Sequence, residues 1–260
     1  MDQLRLIRHS FPDQPELSTE ISRTILRRVA AGELPPTVRI HRPGNEVAFG
    51  RQDVNSPGYE TAADAARAAG FAAVERLAGG RAAVFHEGTI AIARAYADPQ
   101  PPKRTYARFE EMAEVIASAL HDLDVDARVG EVPGEYCPGA YSVNARGATK
   151  LAGIGQRMIR GAAHLGGVVV ARGADLIVDV LGPVYEALQL DWDPATSGSA
   201  AAELGREVDP GQVEEAVIAE LGRRYDLVDA ELDEVTLRTA AATLDPDQPR
   251  GSPPVESSGA

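Results

Sequence analysis

Apolar residues recur at every fourth position through residues 17–31, at Ile21, Ile25 and Val29, with Ser18 or Thr19 available as a cap. That spacing predicts an amphipathic helix near the start of the fold, and Pro35-Pro36 ends it. Val38 and Ile40, then Val47, Ala48 and Phe49, read as short strands on either side of a Pro43-Gly44-Asn45 turn. The alanine-rich stretch 61–69 is helical in propensity and is stopped by Gly70. Strands are expected over 72–74, 82–85 and 89–96. A long helix over 106–123 places Phe109, Met112, Val115, Ile116 and Leu120 on one face. A further strand is expected over 125–129. Residues 140–143 and 149–154 suggest a hairpin across Asn144-Ala145-Arg146-Gly147, and 162–170 a buried strand. Residues 176–188 continue the core, and helices are expected over 209–221 and 233–244.

Many strands follow one another without an intervening helix. This order predicts an α+β fold: a central mixed, mostly antiparallel sheet flanked by helices. The expected organisation is a catalytic domain over 1–205, a small helical C-terminal extension over 206–245, and a disordered tail over 246–260 rich in Pro, Ser and Gly.

An apolar fraction of 44% and a charged fraction of 25% are ordinary for a globular chain of 260 residues. No apolar run approaches the roughly 18 residues of a membrane span, and the start Met-Asp-Gln-Leu-Arg has no secretory core, so a cytoplasmic location is expected. A single cysteine excludes an internal disulfide, and no metal-ligand spacing occurs. The net charge of -13 and the lack of a basic, aromatic patch oppose nucleic-acid binding.

Only two of the 26 basic side chains are lysines, and one of them, Lys150, follows the sole cysteine, Cys137, by thirteen positions. A cation beside a thiol favours the nucleophilic thiolate, and lysine can also lend a proton. The structural alternative is a small buried hydrophobe and a solvated lysine. No acidic residue lies between Glu135 and Asp175, whereas Arg146, Lys150, Arg157, Arg160 and Arg172 do, a local charge reversal suited to an anionic partner.

Arg76-Leu77-Ala78-Gly79-Gly80-Arg81-Ala82-Ala83-Val84-Phe85-His86 joins two glycines, two arginines and a histidine at the end of an apolar strand. Glycines let backbone N–H groups approach an oxyanion, although a plain hairpin turn also accounts for the pair. With its arginines the segment resembles the Arg-x-x-Gly-Gly-Arg-Ala-x-x-x-His signature of the lipoate-protein ligase and octanoyltransferase superfamily. Pro35-Pro36-Thr37-Val38-Arg39 with Val47-Ala48-Phe49-Gly50-Arg51-Gln52 is similar to that family's opening strands. Lys150-Leu151-Ala152-Gly153-Ile154-Gly155-Gln156-Arg157, then Arg160-Gly161 and His164-x-Gly166, resemble its lysine motif and the strand behind it. Residues 20–245 are covered in family order.

The resemblance implies the biotin/lipoate ligase-like fold and a groove for an eight-carbon acyl chain. It also implies transfer of octanoyl or lipoyl groups to a lysine of a lipoyl carrier domain. It assigns Lys150 to the acyl carbonyl and Arg76, Gly79, Gly80, Arg81, Phe85 and His86 to the loop around the head group. Gly153, Gly155, His164 and Gly166 fall to the pocket lining, with Phe85, Val84 and Ile154 as apolar walls. Ligases of the family use ATP and magnesium; transferases need no cofactor and pass the acyl group through a cysteine. Cys137-Pro138-Gly139-Ala140-Tyr141 resembles one transferase branch, and a two-glycine loop also points there. The interval from Cys137 to Tyr141 is shorter than in typical members. The best-known octanoyltransferases instead place the thiol after the His-Gly strand, where residues 181–184 offer none. The implied partners are an acyl carrier protein or lipoyl domain proteins such as glycine cleavage H protein and 2-oxoacid dehydrogenase E2 subunits. A non-catalytic acyl-binding module is the third alternative.

Overall fold

The computed structural model describes residues 1–244; the expected tail lies outside them. In chain order the elements are β1 (Gln3–Ile7), α1 (Pro15–Ala30), β2 (Thr37–His41), β3 (Glu46–Phe49), α2 (Arg51–Val54), α3 (Tyr59–Ala68), β4 (Ala72–Glu75), β5 (Ala83–Phe85) and β6 (Thr89–Ala97). There follow α4 (Thr105–His121), β7 (Ala127–Val129), β8 (Val143–Ala145), β9 (Thr149–Ile159), β10 (Ala162–Val170), α5 (Ala174–Leu188), α6 (Ala200–Leu204), α7 (Pro210–Arg224), β11 (Asp226–Asp229) and α8 (Glu234–Ala242).

Eight strands form one sheet in the order β11-β1-β2-β6-β10-β9-β8-β7, and β4-β3-β5 form a second. In the large sheet only β11-β1 and β1-β2 are parallel, so it is mixed and mostly antiparallel, as expected. Parallel neighbours need a crossover, which α1 supplies between β1 and β2. Among the described residues no helix is long and apolar enough to cross a membrane.

Period-two alternation assigns the two faces of the large sheet. Leu4, Leu6, Val38, Ile40, Ile90, Leu165 and Val169 pack on α4 and α7 through Met112, Ile116, Val213 and Val217. The other face carries two smaller cores. Ile7 and Ala95 pack against Ile21, Ile25 and Leu26 of α1, joined by Leu232 and Ala240. Val170 meets the small sheet and α5 through Val47, Phe49, Val84, Ile177 and Val184. Between these two cores the same face is left uncovered by apolar packing, and there the cavity opens.

The segment expected as a helical extension puts α7 into the main core and β11 at the edge of the large sheet, where it pairs with β1 from Gln3↔Asp226 to Leu6↔Asp229. Neither β1 nor β11 is signalled by the apolar pattern, whereas β7 at the other edge falls within the strand expected over 125–129. β11 spans four residues in an acidic run and buries little, so its structure comes from its partner. The hairpin arm expected over 140–143 begins at Val143, and the turn falls at 146–148 with Arg146 and Gly147 both at positive φ.

Candidate active site

Two cross-strand rows on the uncovered face build a floor. Gly153 stands beside Val168, Val168 beside Ala91 and Ala91 beside His41; the parallel row is Gly155, Gly166, Ala93 and Arg39. Small residues at the centre leave room for a cavity of about 410 Å³. Its roof comes from the small sheet, whose alternation turns Glu46, Ala48, Ala83 and Phe85 inward and Val47, Phe49 and Val84 away into the second core. Phe109 and Tyr141, stacked at 5.3 Å between ring centroids, and Ile154 complete the apolar wall.

The glycine loop crosses this floor. Gly79 N–H donates to the Gln156 carbonyl of β9 at 3.3 Å, and a Cβ on Gly155 would lie 2.5 Å from the Gly79 carbonyl oxygen. Gly80 has φ +119, and a Cβ there would lie 2.9 Å from the Cys137 sulfur. A Cβ on Gly166 would lie 2.9 Å from His164 Nε2, and one on Gly153 would lie 3.2 Å from Lys150 Cε. These four glycines therefore serve close approach, the role that backbone without a side chain allows.

Cys137 sits at φ +43, a left-handed conformation that non-glycine residues seldom adopt, and it is held there from three sides. Its N–H donates to Tyr185 Oη at 2.8 Å, and that hydroxyl donates to the Ala82 carbonyl at 3.0 Å. Its carbonyl accepts from Lys150 Nζ at 2.7 Å. Its sulfur accepts from the Arg81 N–H at 3.2 Å and from Arg76 Nη1 at 3.7 Å. One backbone donor and one guanidinium thus converge on the sulfur.

Lys150 is 1% exposed, and its remaining donors go to the Tyr136 carbonyl at 2.9 Å and Glu135 Oε1 at 3.0 Å. The Glu135 carboxylate is fully buried. It also accepts from Val132 N–H, Gly139 N–H and Ser142 Oγ, and so ties together the loop that carries the thiol. Cys137 and Lys150 are brought together as the sequence suggests, but the ammonium meets the cysteine's carbonyl while Arg76 and the Arg81 amide meet its sulfur. Sequence reasoning missed Glu135, taken only as the border of an acid-free stretch, and Tyr185, one hydroxyl in an apolar run. Only the three-dimensional pairing distinguishes them.

Arg76, Gly79, Gly80, Phe85, Gly153, Gly155, His164 and Gly166 all line the cavity with Cys137 and Lys150. Three expected residues do not. His86 lies past the end of β5, where its Nδ1 accepts from Gly88 N–H at 3.0 Å and its ring lies against Gly173. Val84 faces the second core, because its strand alternates. Arg81 turns its side chain to the buried Asp53 at 3.0 Å, leaving only its backbone N–H for the sulfur. Burial, then Arg76, Arg23 and Arg157, press His164 down to about 3 and keep the imidazole neutral.

Residues 14–222 match the lipoyl protein ligase A/B catalytic domain. The octanoyl-GcvH:protein N-octanoyltransferase of Anoxybacillus flavithermus is 34% identical over 133 residues, covering 51% of this chain and 47% of the relative. The enzyme of the same name from Oceanobacillus iheyensis is 24% identical over 225 residues, with 83% and 80% covered. In the first of these alignments the chain spans about half the relative's length. Among solved structures, a lipoate-protein ligase A bound with ATP superposes with TM-score 0.75 at 20% identity, covering 95% of both chains. The ligase of an archaeal lipoylation system from Thermoplasma acidophilum gives 0.71 at 16% identity, over 95% and 93%. That family match spans four-fifths of the sequence, and the chain belongs to the lipoyl protein ligase A/B catalytic domain family.

Proposed function

We propose that this protein transfers an octanoyl or lipoyl group to a lysine of a lipoyl carrier domain through a thioester on Cys137. The observation that carries this reading is the sulfur itself, held in the cavity wall between the Arg81 N–H and the Arg76 guanidinium. The Cys137 sulfur attacks the acyl carbonyl of the donor. The sulfur–carbon bond forms, the bond to the donor carrier breaks, and the thiol proton leaves with the departing group. In the second half the acceptor lysine's neutral amine attacks the thioester. The carbon–nitrogen bond forms, the sulfur–carbon bond breaks, and the amine's proton returns to sulfur. Negative charge on the carbonyl oxygen develops close to Arg76 and the glycine-loop backbone, donors already oriented before reaction.

Lys150 acts here as a positioning residue. Its three donors are spent on Glu135 and on the carbonyls of 136 and 137, so it fixes the thiol's backbone from below. The names of the relatives support an octanoylated GcvH-like protein as donor; an acyl carrier protein as the other donor and E2 lipoyl domains as acceptors belong to the proposal. A cytoplasmic setting for the reaction is part of the same proposal.

Mass spectrometry of the protein mixed with octanoylated carrier tests the proposal. An octanoyl adduct on the wild type that is absent from Cys137→Ala is expected. ATP-dependent lipoylation that survives Cys137→Ala and needs magnesium would replace it with the ligase reaction.

A further inference from the structure

The cavity reaches the surface at Gly79, Gly80, Pro138 and Ala140, which line it and are exposed. Two elements run outward from this rim side by side. On α4, Phe109 lines the cavity against Tyr141, and Tyr106 lies one turn before it on the same helix face. On β9, Gln156 lines the cavity and its carbonyl holds the Gly79 N–H, while Met158 follows two residues on, on the same strand face. The two elements are tied together beyond the rim. Gln156 Nε2 donates to the Thr105 carbonyl at 3.3 Å, and the Thr105 hydroxyl donates to Met158 Sδ at 3.4 Å.

The chain leading into α4 is held rigidly. Pro99, Pro101 and Pro102 restrict its backbone, and the buried guanidinium of Arg108 donates to the Pro101 carbonyl at 2.6 Å, to Asp98 at 2.5 Å and to Gln156 Oε1 at 2.6 Å. The Asp98 N–H donates in turn to the Gly161 carbonyl at 3.0 Å, which brings the turn carrying Arg160 to the same edge. Three cations and two apolar side chains project from this frame. Lys103, Arg104 and Arg160 are exposed and join no ion pair among the described residues, and Tyr106 and Met158 are 72% and 42% exposed. Of the two acids in the first two turns of α4, Glu111 pairs with Arg94 at 2.6 Å and Glu110 stands alone, so the edge stays positive.

Aromatic, thioether and arginine side chains are enriched where protein interfaces bury surface, and a frame that need not reorganise keeps the ordering cost low. The partner's charge follows from the rest of the molecule. At a net charge of -13 the chain as a whole favours a basic partner, and an acidic one is drawn only where cations stand unpaired. We propose that the edge formed by Lys103, Arg104, Tyr106, Met158 and Arg160 is the docking surface for an acidic carrier protein, whose acyl arm enters the cavity beside Phe109. The inference rests on the reading of Cys137 as acyl acceptor, and the test keeps the two apart.

Calorimetric binding of an octanoylated lipoyl domain of acidic surface to Cys137→Ala protein is paired with adduct formation by proteins that keep Cys137. Lys103→Glu with Arg104→Glu is expected to weaken carrier binding about tenfold or more at low ionic strength, and less with added salt. Tyr106→Ser should weaken it about fivefold at either salt, since it removes contact and not charge. Both variants should load from octanoyl-pantetheine within about twofold of wild type. Unchanged carrier affinity in both variants overturns the proposal. Equal slowing with carrier and with pantetheine also overturns it, because the segment would then support the cavity and not the partner. A wild-type dimer in sedimentation that Tyr106→Ser dissociates, with carrier affinity unchanged, assigns the edge to a second copy of the chain and overturns it as well. Carrier binding that the variants weaken, with no octanoyl adduct on the wild type, sustains the docking surface and removes the thioester reading instead.

Discussion

Removing the Lys150 ammonium would leave Glu135 as a buried carboxylate with no cation, held only by two backbone N–H groups and the Ser142 hydroxyl, and would free the carbonyls of Tyr136 and Cys137. Breaking one side of such a pair commonly costs about 3–5 kcal/mol. Lys150→Ala should therefore lower the unfolding midpoint as well as slow adduct formation, and Glu135→Gln should do the same to a lesser degree. An unchanged midpoint in urea titration for Lys150→Ala would show the pair carries no such weight. Titration gives a second residue-scale check. The Glu46 carboxyl is pushed up to about 8, first by burial and then by Glu16, against Arg39 and Arg76. Its unfolded value is near 4.3, so the folded chain holds an extra proton between the two. Stability then falls as pH rises through that window, by at most about 1.4 kcal/mol per pH unit. His164, pressed down to about 3, acts in the opposite sense: its contribution is present above its unfolded value of about 6.5 and is lost as pH falls towards 3. Glu46→Gln should flatten the alkaline limb alone; loss of both limbs together would assign them elsewhere. At this scale the sequence singles out Cys137 and Lys150 by rarity, and their neighbourhood is real. It does not reveal that the sulfur's cation is Arg76. In an arginine-rich chain nothing marks one guanidinium among many, and the contact spans 61 positions.

The glycine loop and β9 approach one another so closely that side chains would separate them. A Cβ on Gly155 meets backbone oxygen of Gly79 at 2.5 Å and Arg76 Nη2 at 2.8 Å, and backbone cannot swing aside as a flexible side chain can. Gly155→Ala should thus push the loop off the sheet, draw Arg76 away from the sulfur and slow acylation of Cys137 about tenfold or more, at a stability cost of about 1–3 kcal/mol. Gly153→Ala meets only the Lys150 side chain, Cε at 3.2 Å and Nζ at 3.5 Å, and should be milder. Adduct kinetics on both variants check the order; a milder Gly155→Ala would contradict it. Elements with a strong period are legible in the chain. β10 falls at 162–170 as its apolar run suggests, and α4 shows the face of Phe109, Met112 and Ile116. The weak ones are legible only in pairs. β1 and β11 have few residues each and become strands because they lie beside each other and β2. His86 shows the limit of a motif, since its position in sequence says nothing of the turn at 86–89 that carries it out of the cavity.

Over the whole molecule the net charge is -13, so an acidic carrier is repelled at distances beyond a Debye length and docks only where the field reverses locally. The sequence offers five cations between Glu135 and Asp175, and the fold sorts them. Arg146 is paired with Glu203 at 2.6 Å, Arg172 with Glu87 at 2.9 Å, and Lys150 is buried on Glu135. Among the described residues Arg157 and Arg160 join no ion pair. Arg157, on β9, stands beside His164 of β10, and Arg160 lies in the turn from β9 to β10. Of the five, these two arginines are therefore the cations left for a docking carrier. Replacing both with alanine should slow loading from an acidic octanoylated carrier about tenfold at low ionic strength, an effect on encounter that added salt should erase. Loading from octanoyl-pantetheine, which has no carrier surface, should stay within about twofold of wild type, since neither arginine touches the thiol or its donors. Stopped-flow or quenched-flow adduct formation at two salt concentrations reads both arms. Equal slowing with the carrier and with pantetheine would move Arg157 and Arg160 from the docking surface into the support of the cavity. A carrier effect that persists at high salt would mean that contact, and not charge, holds the carrier on this edge.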